Sequence, residues 1–271
     1  MKKLRKKIAA SMPMPIRIWW INTRAAYHGR KYRLSLLAES DDTLFRAEDS
    51  DTSLVIARLG RRRRYNAGVK ARIDLLAKEY QIHDLQGLSG GLLLDCGANV
   101  GELGMWAQWQ GMSYIAFEPE ELEARACDLN NFNGDTKTLR KALWHEETTL
   151  SFYRAPDSAD SSLFAGTAPV ETVEIEATTL DQALSNSDLN LQDIDGPKIL
   201  KLEAEGAEPE ILQGAASSLP KIDWVTVDCG PERGASKENT FVPVHNLLTA
   251  AGFTLMSVQF GRVTALYKRT S

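Results

Sequence analysis

The sequence predicts an α/β protein: a mostly parallel sheet covered by helices on both faces, preceded by a basic helical extension. Three observations carry this expectation. From residue 91 onward, short apolar runs alternate with segments of helical periodicity. At 271 residues, 43% hydrophobic and 25% charged, the chain has room for one large α/β domain and an appendage. The net charge of -4 also divides unevenly, with 19 Lys and Arg against 9 Asp and Glu in residues 1–89, and 13 against 27 thereafter. The domain boundary is therefore placed between 1–89 and 90–271, and the basic part is expected to meet something anionic or to dock on its own acidic domain.

Strands are expected at 92–95, 113–118, 137–140, 149–154, 170–177, 198–203, 222–228, 253–259 and 262–268. Helices are expected at 101–110, 120–131, 179–185, 207–218 and 241–251. The 149–177 pair reads as an inserted hairpin, which leaves a seven-stranded main sheet. The last two strands, joined through Phe260, Gly261 and Arg262, read as an antiparallel hairpin, giving the sheet an antiparallel edge strand.

In the extension, residues 1–37 form an arm in which basic residues alternate with Ile16, Ile18, Trp19, Trp20 and Ile21, interrupted by Pro13 and Pro15. This pattern suits short helices that serve as an interfacial anchor, or an arm that buries its tryptophans on the rest of the protein or on a second subunit. Residues 38–53 are acidic and turn-rich and read as a connection, followed by the apolar run LVIARL and the basic turn Arg61 to Arg64. A helix over 64–82 carries Val69, Ile73, Leu76 and Tyr80 on one side.

Nothing in the sequence has the length of a membrane span, and the basic start lacks the apolar core of a signal peptide. Cys96, Cys127 and Cys229 show no ligand spacing and lie in or beside apolar segments, so buried thiols in a reducing cytoplasm are expected.

The segment GLLLDCGANVGELGMW leads from a buried strand through glycines into a helix, a geometry in which backbone approaches a ligand closely. Asp95 stands at the strand end, where it can accept from a ligand's amine directly or through water, and Asn99 tolerates a left-handed turn. The spacing from Gly97 to Gly101, with an acid ahead of it, serves a pyrophosphate poorly and suits S-adenosylmethionine. Ala98 and Glu102 belong to the same expected contact set. In SYIAFEPE, Glu118 ends the second strand within reach of ribose hydroxyls, and Pro119 starts the next helix. Ala142 and Leu143 are expected to line an adenine pocket or simply to fill core.

The motifs LLLDCGANVGE, AFEPE, RKALW, TTLDQAL, KLEAEGAEPEILQGA and AAGF resemble those of FkbM-type methyltransferases over residues 91–268, and RYNAGVKARIDLLAKEY extends the likeness to about residue 64. The resemblance implies a Rossmann-like class I methyltransferase sheet and methyl transfer from S-adenosylmethionine, leaving S-adenosylhomocysteine, to a hydroxyl of a sugar or natural product. Family members usually carry Asp where Glu203 stands and Glu where Asp228 stands, so the reach of both acids differs here.

Glu203, Glu205 and Glu208 follow the strand KILKL at the end of the sheet where open α/β folds hold ligands. Glu205 is the first candidate for the base or for the acceptor-binding carboxylate, Glu203 is expected to face the cofactor's methionine end, and Glu208 to support a neighbour. Asp228 completes the catalytic set. These acids are compatible with a divalent metal, which is not favoured. Glu232, Arg233 and the stretch SADSSLF offer groups to grip a polyhydroxylated acceptor. The expected partner is a sugar in a polysaccharide or lipid-linked glycan, with peripheral contact to the inner face of the membrane through the arm and homodimerisation as further readings. Nucleic acid is disfavoured because the chain lacks the motif that positions a base nitrogen, and a non-catalytic cofactor- or glycan-binding module is the remaining alternative.

Overall fold

The computed structural model describes residues 12–37, 44–154, 161–165, 171–187 and 189–270. The chain divides into two compact units, Met1–Ile73 and Asp74–Ser271.

In the first unit, α1 (Met14–Tyr27) begins where Pro15 presets the helical φ without wasting a backbone donor. Its Asn22 side chain donates to the carbonyl of Leu34 and accepts from the same residue's amide, both at 2.8 Å, so it substitutes for a strand neighbour. Three short strands, β1 (Arg33–Leu36), β2 (Phe45–Glu48) and β3 (Ser53–Ile56), form an antiparallel meander. The extension is thus not purely helical, and residues 45–48 and 53–56 pair as strands; the remainder of the supposed connection, 38–43, lies outside the described residues. Asp49 explains why so acidic a stretch holds a hairpin. Its Oδ1 accepts from the amides of Asp51 and Thr52 at 2.9 Å, closing the β2–β3 turn, while its Oδ2 accepts from the amide of Val69 at the start of α2 (Val69–Glu79).

The division between the units falls inside α2, and the segment after it is tied into the large sheet: Thr226 donates to the carbonyl of Tyr80 at 2.6 Å and Gln81 to the carbonyl of Thr264 at 2.7 Å.

The second unit is built on β4 (Leu92–Cys96), β5 (Ser113–Phe117), β9 (Lys198–Leu202), β10 (Trp224–Asp228), β11 (Phe253–Gln259) and β12 (Thr264–Arg269), in the order β11-β12-β10-β9-β4-β5. Four strands run parallel, and β12 lies antiparallel between β10 and β11. Two sequence expectations are corrected here. The antiparallel strand stands one place in from the edge, and the sheet has six strands. Residues 137–140 make only the bridge between Phe117 and Leu139, because Asp128 captures their donors: its Oδ1 accepts from the amides of Lys137 and Thr138 and from the Thr138 hydroxyl, and its Oδ2 pairs with Arg140.

Leu92, Leu94, Leu200, Leu202, Val225 and Val227 fill the core of the central strands, as continuous apolar runs in a doubly covered sheet require. Helices α3 (Glu102–Trp109), α4 (Glu121–Asn131), α5 (Leu180–Ser185), α6 (Glu208–Gln213) and α7 (Phe241–Ala250) connect the strands. Helix α6 is half the expected length. A Cβ at Gly214 would fall 2.1 Å from the Trp144 carbonyl, and Asp181 takes the amides of Ser217 and Ser218. The inserted hairpin is present as β7 (Thr148–Arg154) and β8 (Glu171–Thr178), which with β6 (Ala142–Leu143) make a separate three-stranded sheet.

Replacing Asp128 by Ala removes the acceptor that substitutes for the missing strand. We expect a loss of about 2–4 kcal/mol in urea unfolding, in the range for a buried group with several charge-assisted partners.

Candidate active site

The loops after β4 and β9 meet at the point where the chain changes sides of the sheet, the place where open α/β folds keep their ligand crevice. Gly97 has φ of 71°, and a Cβ there would lie 1.9 Å from the Glu203 carbonyl oxygen. Gly101 has φ of 78°, and a Cβ would lie 2.1 Å from the Asn131 side chain. The atoms that demand these two glycines therefore belong to the protein itself, where the sequence reading looked to a ligand. Asn99 takes the expected left-handed turn, with φ of 51°.

Glu118 locks that turn. Its Oε2 accepts from the Asn99 amide at 2.8 Å and its Oε1 from the Glu120 amide at 2.9 Å. Burial nonetheless pushes its carboxyl up to about 7, against the pull of those two amides. Beside it, Glu120 accepts from Arg154 and Ser161, tying the inserted hairpin to the end of β5.

Beneath the loops lies a buried chain of charges. Lys201 sits opposite Asp95 in the β4–β9 ladder, and its Nζ stands 3.0 Å from Asp95 Oδ1 and 3.4 Å from Glu203 Oε2. The same ammonium donates to the carbonyls of Cys96 and Gly97 at 2.9 and 2.8 Å. Tyr114 donates to the other Asp95 oxygen at 2.9 Å. Asp95 is only 1% exposed, so in this arrangement it organises the loop from below and does not present an open acceptor. Although burial opposes its charge, Lys201 is held well above the usual lysine range by Asp95 and Glu203.

Arg262, in the turn between β11 and β12, continues the chain. Its Nη2 pairs with Glu203, its Nε with Asp228, and its Nη1 lies 3.4 Å from Glu79. Glu203 is drawn down to about 2, because the two cations outweigh the cost of its burial. Asp228 is raised by burial, with Arg262 opposing. Arg262 thus stands between two of the three acids, Glu203, Glu205 and Asp228, that the sequence offers to a metal. Among the described residues, no group of three or more His, Cys, Asp or Glu is arranged to hold a metal ion.

Glu205 adopts φ of 50°, an uncommon region for a side chain with a Cβ, and its carbonyl accepts from Ser162 at 3.1 Å. Glu208 supports this bend: it accepts from the amides of Ala204 and Gly206 and from the Thr240 hydroxyl. Arg233 clamps the opposite edge by donating to the Gly206 carbonyl at 2.7 Å and pairing with Glu210, and its guanidinium carbon lies 4.2 Å from the centre of the Phe164 ring. Glu232, adjacent, is pushed up to about 8 by burial and by the neighbouring charges of Asp228, Glu203 and Glu208.

Ala98, Ala142 and Leu143 are buried, and the last two pair with β8. Glu102 opens α3 and is buried, while Pro119 is half-buried ahead of α4. The three thiols are buried, and burial raises Cys127 and Cys229 to about 12, far from a nucleophile's range.

Residues 95–255, more than half the chain, match the model of the methyltransferase FkbM domain. The chain belongs to that family. Lys201 and Glu205 lie inside the FkbM match, whereas Arg262 lies beyond it. The FkbM domain also has similarity to solved structures, among them magnesium protoporphyrin IX methyltransferase from Synechocystis PCC 6803 with bound S-adenosylhomocysteine. That pair shares 11% identity over 78% of this chain and 84% of that one, with a TM-score of 0.37. DesVI of Streptomyces venezuelae shares 12% identity over 78% and 94% respectively, with a TM-score of 0.39. A search of curated proteins finds no match.

Sequence reasoning missed Lys201 and the role of Arg262. The signal for Lys201 was present, since a charged residue in the middle of a strand buried on both faces demands a partner. Arg262 was seen only as part of a turn.

Removing the central cation strands Asp95 and leaves Glu203 to Arg262 alone. Lys201→Met is expected to cost about 3–5 kcal/mol at neutral pH in denaturant unfolding, with part recovered in acid as the orphaned carboxylate takes up a proton. Glu118 and Glu232 titrate near 7 and 8 in the folded chain, above the ordinary 4.5. Their contribution to stability is complete below about pH 4.5 and is lost as pH rises through about 7 to 8. Glu232→Gln should therefore show a smaller fall in melting temperature between about pH 6 and pH 9 than the parent.

Proposed function

We propose that this chain is an S-adenosylmethionine-dependent O-methyltransferase whose acceptor is a sugar hydroxyl in a polysaccharide or lipid-linked glycan. Family membership supports methyl transfer. The observation that carries the finer reading is the acidic ridge at the carboxyl ends of β9 and β10. There Glu203 and Asp228 are consumed by Lys201 and Arg262, while Glu205 and Glu232 lie on the adjoining loops. Carboxylates bind neutral polyols through hydroxyl donors and repel phosphates, so the ridge favours a glycan over nucleic acid.

The residues present fit the cofactor. Glu118 spends one lone pair on Asn99 and one on Glu120, and a carboxylate has about four, so the ribose hydroxyls find acceptors there. When bound, S-adenosylmethionine supplies an electrophilic methyl group. Asp95 and Lys201 keep the Gly97–Asn99 loop in shape, and Glu203 adds fixed negative charge near the methionine end. Glu205 binds the acceptor, its strained backbone setting the direction of its side chain. Glu232 removes the hydroxyl proton, since a carboxyl titrating near 8 is a far stronger base than one pinned near 2.

Calorimetric titration with S-adenosylmethionine and S-adenosylhomocysteine should give dissociation constants of about 100 µM or tighter. Glu118→Ala should weaken both at least tenfold, as expected for loss of a hydrogen bond from a charged acceptor. With a glycan acceptor, transfer should rise with pH through about 8, and Glu232→Gln should lower kcat by about a hundredfold while sparing S-adenosylhomocysteine binding. An unchanged pH profile in that variant removes Glu232 as the base, and absence of binding by folded protein contradicts the cofactor assignment.

A further inference from the structure

Helix α1 is apolar on two opposite sides. Ile18, Ile21 and Ala25, at helical spacing, are buried. Roughly half a turn around the axis, Ile16, Trp19 and Tyr27, which are 52%, 66% and 86% exposed, form a second row, with Thr23 between the last two turning its hydroxyl back to the Trp19 carbonyl. Trp20 borders the row, with the Arg24 guanidinium 4.8 Å from its ring centroid. A scattered exposed aromatic needs no explanation, but a helix that is apolar on both sides has a second side that calls for cover.

The charges around the row identify the cover. Arg17 and Arg24 lie on α1, Arg30 and Lys31 follow immediately in an exposed turn, and no Asp or Glu precedes Glu39 in the sequence. Trp and Tyr are the side chains that settle at the boundary between head groups and acyl chains, and arginines beside them meet anionic head groups. Among the described residues, no helix is long and apolar enough to cross a membrane, so contact through this element is peripheral.

We infer that the Ile16–Trp19–Tyr27 side of α1 docks the protein on an anionic lipid surface. A second copy of the chain fits the same row less well. A two-fold contact through it brings the arginines of both copies together with no acid from this segment to offset them. The inference is independent of the methyl-transfer reading and stands or falls without it.

The test is co-sedimentation of the full-length protein with phosphatidylcholine vesicles, with and without phosphatidylglycerol. The expected result is binding only to the phosphatidylglycerol vesicles, weakening as salt is raised. Trp19→Ser with Tyr27→Ser should reduce binding by about tenfold. Arg24→Glu with Arg30→Glu should reduce it at least as much. Both variants should keep the parent's melting temperature and affinity for S-adenosylhomocysteine, since every altered side chain is exposed. Failure to sediment with phosphatidylglycerol vesicles overturns the inference, as does undiminished binding by the Trp19 and Tyr27 variant. So does a concentration-dependent dimer that this variant abolishes, which would assign the row to a second copy.

Discussion

One buried ammonium organises the carboxyl end of the central parallel strands. Lys201 Nζ stands where β4 and β9 run side by side; it forms an ion pair with Asp95 and donates to the carbonyls of Cys96 and Gly97. An isolated charge in that position would be prohibitively unfavourable. Asp95 compensates it from the neighbouring strand, and the two carbonyls fix the path of the glycine loop. The close approach of Gly97 to Glu203 follows from the same arrangement, since both loops are drawn toward one cation.

The charge chain also sorts the acids by chemical capacity. Glu203 and Asp228 share Arg262, so their carboxylates are occupied, and Glu203 is held near 2. Glu118, which is buried, and Glu232, which is half-buried, form no ion pair with Arg262 or Lys201 and rise to about 7 and 8. Carboxyl groups at and just beyond the carboxyl ends of the parallel strands thus divide into fixed charges that shape the field and groups poised to exchange protons near neutral pH. That separation supports the proposed general-base step.

Much of this was legible in the sequence, and the failures have physical causes. The central strands were readable because doubly covered parallel strands are continuously apolar, and the Gly97–Asn99 loop because only a few residue types accept its backbone. The third expected strand failed because a single residue, Asp128, absorbs the donors its ladder needed, a long-range effect that periodicity does not encode. The strands of the first unit were missed because they are short and stabilised by side-chain mimicry from Asn22 and by Asp49. Glu203 and Asp228 meet on Arg262, but that pairing depends on β12 lying beside β10, and that topology is not written locally.

We propose that the loop held by Lys201, together with Glu118, forms the cofactor crevice, and a crystal structure with S-adenosylhomocysteine is the decisive test. Ribose hydroxyls are expected within about 2.5–3.0 Å of the Glu118 carboxylate, with Lys201 still paired to Asp95 beneath the loop. A nucleoside bound away from Glu118, or Lys201 withdrawn from Asp95 to contact the ligand, would contradict it.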